Sequence, residues 1–242
     1  MIRLIKAEWF RIKHTGSQWL ILWSVLLMSA AIVLFVNEEM AVSLDSFLEA
    51  ALSMTSAAAV AVTSVIVYAF HLRLGQYELA GGYSPHEIVL SKLLLGAFIL
   101  NVFYCLPVLV LLAVLGSVPA GTLFLIWLCI MRIYVFIMSF GIAFKHVAVS
   151  VFSLMLLAFE TMPFVFFGYA TGTDVSPAVS MLVSTQLYAL GSAELNASML
   201  EAIPNEHIAV KIIISSVIVT ALMYWLAYVS TKKRWVTEQS YK

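Results

Sequence analysis

The sequence predicts an all-α integral membrane protein, with six transmembrane helices, an amphipathic interfacial helix before them, and both termini in the cytoplasm. Three observations carry that prediction. The first is a series of apolar runs of spanning length. Residues 19–36, 50–70, 93–115 and 212–229 hold no charge, while 122–144 and 147–169 hold one each, Arg132 and Glu160. A hydrocarbon core about 30 Å thick needs roughly 20 helical residues at 1.5 Å per residue. Lipid offers the backbone no hydrogen-bond partner, so each crossing has to be a helix that satisfies its own ladder. The second observation is composition: 63% hydrophobic, 11% charged and a mean hydropathy of +1.02, against about 25% charged residues in soluble domains. The runs leave too few of the 242 residues between them for a soluble catalytic domain, which takes about 50 or more. The third is the charge map. Arg3, Lys6, Arg11, Lys13, Arg73, Lys92, Lys145, Lys232, Lys233, Arg234 and Lys242 fall on one side of the six runs. Glu38, Glu39, Asp45, Glu49, Asp174, Glu194, Glu201 and Glu206 fall on the other, with only Lys211 near that edge. The excess of Lys and Arg marks the cytoplasmic side, so both termini are expected there.

Residues 1–17 precede the first span. Ile2, Ile5, Trp9 and Ile12 recur at helical spacing, with Arg3, Lys6, Arg11 and Lys13 on the flanks and far side. That pattern suits a helix lying in the inner headgroup layer, Trp at the interface and cations toward anionic lipid. The first apolar run follows this charged segment and is succeeded by five more, so it reads as a retained span rather than a cleaved signal.

Residues 71–92 form the longest cytoplasmic loop. Gly81-Gly82 signals a chain reversal, and Ser84-Pro85 with Glu87 reads as an N-cap, a first-turn proline and an early carboxylate. The expectation is a short helix, a glycine break and a second short helix running into the third span.

Inside the spans, Pro107 and Pro163 should bend their helices by removing a backbone bond. Cys105 and Cys129 lack metal-ligand spacing and read as small packing residues. Arg132 and Glu160 lie at matching depth in successive spans, about 18–20 Å from the inner edge. An unpaired charge at mid-membrane costs about 2.5–3.5 kcal/mol or more, so the two are expected to pair. Between the fifth and sixth spans, 175–190 is mildly apolar and free of basic residues, which fits a re-entrant or interfacial segment within 171–207. Residues 231–242 are a basic tail.

Several activities are disfavoured. No Gly-x-x-x-x-Gly-Lys-Ser/Thr loop is present, and Gly81-Gly82 is followed by Tyr83-Ser84, so no nucleotide site is expected on this chain. An intramembrane serine protease needs an embedded His, whereas His14, His71, His86, His146 and His207 all fall in loops or at span ends. Glu38-Glu39 lacks the partners for a metal site. No catalytic residue, metal or nucleic-acid partner is assigned.

The layout resembles the membrane subunit of bacterial type-2 ABC exporters, the ABC-2 permease family. The likeness rests on the N-terminal stretch Ile5-Lys6-Ala7-Glu8-Trp9-Phe10-Arg11-Ile12-Lys13 before six spans. It rests also on Glu78, Gly82, Ser84, Ile88, Ser91 and Lys92 between spans two and three, and on Ser139-Phe140-Gly141-Ile142-Ala143 at the end of span four. Where members often carry a basic residue two places after the Ser, this chain has His86, mostly neutral at pH 7. The short external loops are similar to those of small permeases that serve bacteriocin, lantibiotic-immunity or peptide-export ATPases. The resemblance implies a multi-pass protein of the bacterial cell membrane that expels an amphipathic peptide or other hydrophobic compound. It implies two copies of a separate ABC ATPase carrying the ATP and Mg, and a second permease, identical or homologous. Glu78, Gly82, Tyr83, Ser84, His86 and Lys92 would contact the ATPase, and Ile5, Glu8, Trp9 and Ile12 would form the interfacial helix. Two other classes stay open at this stage: an ion-gradient-driven secondary transporter, though internal repeats are not visible, and a non-transport assembly or sensor protein.

Overall fold

Uninterrupted apolar sequence without proline folds into long helices, and the computed structural model of the chain has them. It describes residues 1–14, 19, 23, 44–70, 81–115, 118–144, 152, 156, 160–191 and 207–239, with the side chains of 44–54, 56, 115, 191 and 234–239 outside the description. Over the described residues the chain is helical throughout, without strands: α1 (Ile2–His14), α2 (Leu44–Ala69), α3 (Pro85–Leu100), α4 (Leu106–Leu115), α5 (Ala120–Phe144), α6 (Met162–Thr171), α7 (Ser176–Val179), α8 (Val183–Gly191) and α9 (Ile208–Gln239). Among the described residues three helical stretches are long and apolar enough to cross a membrane: Pro85–Val114, Ala120–Phe144 and Ile208–Lys233. Ala57–Ala69 and Met162–Thr171 are shorter apolar helices. The chain is therefore all-helical with the character of a membrane protein.

Two helices depart from the regularity that the apolar pattern suggests. The path from Pro85 to Leu115 carries a π-helical turn at Asn101–Cys105. Pro107 has no N–H for the carbonyl four residues back, and its ring crowds that carbonyl. The wide turn just before it shifts the register, so that the Leu106 N–H donates to the Asn101 carbonyl instead. The second departure corrects the expectation of one continuous helix over 147–169. Glu160 and Thr161 form a turn, and α6 starts afresh at Met162 with Pro163 in its first turn.

Cross-helix bonds fix the directions. Tyr134 Oη donates to the Leu93 carbonyl (2.8 Å), and Trp127 Nε1 donates to Asn101 Oδ1 (2.6 Å), so α5 runs antiparallel to α3. Arg132 bonds to Ser215, and Ser230 Oγ donates to the Ala143 carbonyl (2.9 Å), so α5 and α9 run parallel. Parallel helices cannot be joined by a hairpin.

The core lies between α2, α3–α4 and α5, with α8 and α9 against it. Lipid is as apolar as leucine, so close packing and interhelical bonds hold such helices together rather than solvent exclusion. Ala58 and Ala59 on α2 are buried, Tyr104 Oη donates to the Thr55 carbonyl (2.7 Å), and Gly96 leaves room for the Tyr134 hydroxyl.

Candidate functional site

The first candidate site is at the end of the bundle where α1, the start of α3 and the C-terminal half of α9 meet. Gly82 has φ +65°, the left-handed conformation that glycine adopts without penalty, and it turns the chain into α3. Ser84 then closes a capping box: its hydroxyl accepts from the Glu87 N–H (3.3 Å), and its own N–H donates to Glu87 Oε2 (3.1 Å). Those bonds from Ser84 hold the Glu87 carboxyl below its ordinary range.

α1 lies against this start. Its buried face is Leu4, Glu8 and Ile12, with Ile5 half-buried at its edge, while Ile2 and Trp9 are exposed. The apolar stripe thus divides between the protein and the surroundings. Glu8 is fully buried and faces Lys92 Nζ across 3.3 Å, with Arg11 of its own helix on the same carboxylate. The Met1 amine reaches Glu87 Oε1 at 3.4 Å. On the other flank, His86 meets the Tyr224 ring of α9 edge-on, with centroids 5.8 Å apart. Of the residues singled out in the sequence, Glu8, Ile12 and Lys92 are buried where α1 meets α3, with Ile5 half-buried and Ser84 and His86 exposed beside them. Gly82 is exposed and Tyr83 half-buried beside it, Trp9 is on the outer edge of α1, and Glu78 lies outside the described residues.

The second candidate site surrounds Arg132, the thirteenth residue of α5 and thus near its middle. Arg132 is 4% exposed and donates through Nη1 to Ser215 of α9, while Nη2 has no hydrogen-bond partner among the described residues. Ser215 lies 3.4 Å from the Gln186 amide, which brings α8 to the level of mid-α5. Glu160 does not form the expected direct ion pair with Arg132. Its Oε1 accepts instead from the Ser184 N–H (2.7 Å) and hydroxyl (2.5 Å). The physical reason is that the first N–H groups of α8 need acceptors, and a carboxylate at a helix N-terminus also gains from the dipole. Both residues nonetheless line one cavity of about 670 Å³, whose other described walls are apolar.

The sequence reading did not single out Asn101, Trp127, Ser184, Gln186 or Ser215. The available signal was a polar residue within or beside an apolar run, which marks an interhelical partner. Segment 175–190 does fold into short helices, α7 and α8, and Ser180, Thr185 and Gln186 are buried there. Among the described residues no three of His, Cys, Asp or Glu come together as a metal group.

Comparison of the chain with protein-family models, with curated proteins and with solved structures finds no match.

Proposed function

We propose that the chain is the permease subunit of a bacterial ABC-2-type exporter, driven by a separate ATPase and moving an amphipathic peptide or other hydrophobic compound outward. The supporting observation is the body built by α1 and the start of α3. An ATPase pushing from the cytoplasm needs a rigid element tied to a spanning helix. Here Glu8, Arg11 and Lys92 join an amphipathic helix to the first turns of a spanning helix, and His86 joins the same turns to α9. A push on residues 82–86 would therefore move α1, α3 and α9 together rather than bend a loose loop. That end of the bundle also gathers Arg3, Lys6, Lys13, Lys92, Lys232 and Lys233, the distribution that favours the cytoplasmic side.

On this reading, six spans leave both termini inside, two permeases form the pathway, and two ATPase chains with ATP and Mg dock on residues 71–92. The test is purification of the tagged chain from its native membrane in mild detergent, with cysteine cross-linking from His86→Cys. An ABC ATPase co-purifying and cross-linking at that position is the expected result. Transport that persists without ATP, with no ATPase attached, would refute the assignment.

A further inference from the structure

The cavity beside Arg132 has a chemical asymmetry that points to a ligand. Its walls include Ile133, Phe136, Leu156, Pro163 and Val219, and its rim includes the exposed rings of Phe152 and Phe166. At about 670 Å³ it falls in the range of ligand sites, about 300–1,000 Å³. Only Arg132 and Glu160 among its described lining residues are polar or charged. Their states differ. The Glu160 carboxylate is engaged by Ser184 at the N-terminus of α8, whereas Arg132 Nη2 is buried with no acceptor among the described residues. A buried guanidinium with an unmatched donor calls for an anion. Ionisable groups placed at membrane depth generally serve a substrate path. The anion has to be small and singly charged, because Glu160 stands in the same wall and would repel a second negative charge.

We propose that this cavity binds an apolar chain ending in a single carboxylate, with the carboxylate beside the Arg132 guanidinium and the chain along Phe136, Leu156 and Val219. Two sources present that chemistry: a free fatty acid from the bilayer, or the C-terminus of an apolar peptide. The site's chemistry stands whatever supplies the transport energy, so failure of the ATP-driven reading leaves it intact.

The experiment uses the full chain in nanodiscs of neutral lipid. Four photoreactive probes are compared: a diazirine-bearing palmitic acid, the matching alcohol, and an apolar peptide as its free acid and as its C-terminal amide. Adducts are mapped by mass spectrometry to the cavity walls. At least one acid should label the cavity about tenfold more strongly than its neutral partner, the scale expected of one charge-assisted bond. Preference for the fatty acid identifies a lipid source, and preference for the peptide acid over its amide identifies a peptide source. Arg132→Gln should abolish the discrimination and Arg132→Lys should keep part of it. Leu156→Trp, which leaves Arg132 in place and fills the cavity, should reduce labelling by the preferred acid. Equal labelling by acid and neutral probes in the unmodified protein would overturn the proposal without reference to any variant. Undiminished acid labelling in Leu156→Trp, or preserved discrimination in Arg132→Gln, would overturn it as well.

Discussion

Replacing Glu8 should destabilise the protein more than replacing Lys92, although the two face one another. At 3.3 Å and an effective dielectric constant of 20, their attraction is about 5 kcal/mol. Burial offsets it, since each ion loses several kcal/mol of hydration, and Glu8 is fully buried with Lys92 nearly so. The net contribution of the intact pair is therefore small, whereas removal of one member typically costs about 3–5 kcal/mol. The asymmetry comes from Arg11. Lys92→Met leaves Glu8 with the Arg11 guanidinium, but Glu8→Gln takes the carboxylate from both cations at once. Glu8→Gln should lie in the full range, about 3–5 kcal/mol, and Lys92→Met below it. The paired change Glu8→Leu with Lys92→Met should recover most of the loss, because an apolar contact then replaces the ion pair. Thermal melting in detergent, followed by Trp9 fluorescence at the edge of α1, reads the series. Equal losses in the two single variants, or a double variant that loses their sum, would refute the reasoning.

Other perturbations follow from single contacts. Gly96→Ala places a methyl group against the Tyr134 hydroxyl, and the overpacking should cost about 1–3 kcal/mol. Tyr134→Phe should relieve part of that cost, and additive melting temperatures would refute the contact. Glu160→Ala removes the acceptor at the N-terminus of α8 and should cost about 1 kcal/mol, whereas Glu160→Gln keeps an oxygen for the Ser184 N–H and should cost less; equal losses in the two variants would count against the cap. Because the Glu87 pKa is lowered in the folded chain, the capping box is fully formed above the ordinary carboxylate range and is lost as pH falls through the lowered value. Protection of the amides at 84–87, relative to their intrinsic exchange rates, should therefore fall as the pH drops through that lowered value, and unchanged protection would show the box to be unimportant. Cys105 and Cys129 are buried, so introduced thiols report cleanly: Ser43→Cys and Ser192→Cys should react with an external impermeant reagent, and Ser240→Cys should not. Labelling at 240 from outside would reverse the orientation.

Much of this architecture was legible from residue type and spacing because the signals are local. The apolar runs at 93–115, 122–144 and 212–229 became the long helices, and Ser84-Pro85 with Glu87 became a cap, since each depends on neighbours within one turn. The reading of α1 was only half legible. Helical spacing identified an amphipathic helix, but Ile2 and Trp9 are exposed while Glu8 is buried, because the partner that decides the buried face is Lys92, far along the chain. The Arg132–Glu160 relation was legible only in part, for a similar reason. Depth along two helices brought both to one cavity, yet only the position of α8 decides which group the carboxylate satisfies.

Both irregularities in the apolar helices obey one rule. Backbone that leaves the α-helical ladder at membrane depth has to find partners within the protein. At the π turn before Pro107, Asn101 donates to the Ala97 carbonyl (2.7 Å) and accepts from the Trp127 indole (2.6 Å), so the distorted turn is pinned to α5. At the turn before Pro163, Glu160 caps α8, and Ser215 joins Gln186 of α8 to Arg132. In each case a polar side chain near a proline bonds to a different element, Asn101 to α5 and Glu160 to α8. The polar residues inside the apolar runs are therefore not isolated anomalies. They are the points at which the bundle is tied across its width, and the second of these ties forms one wall of the cavity that holds both Arg132 and Glu160.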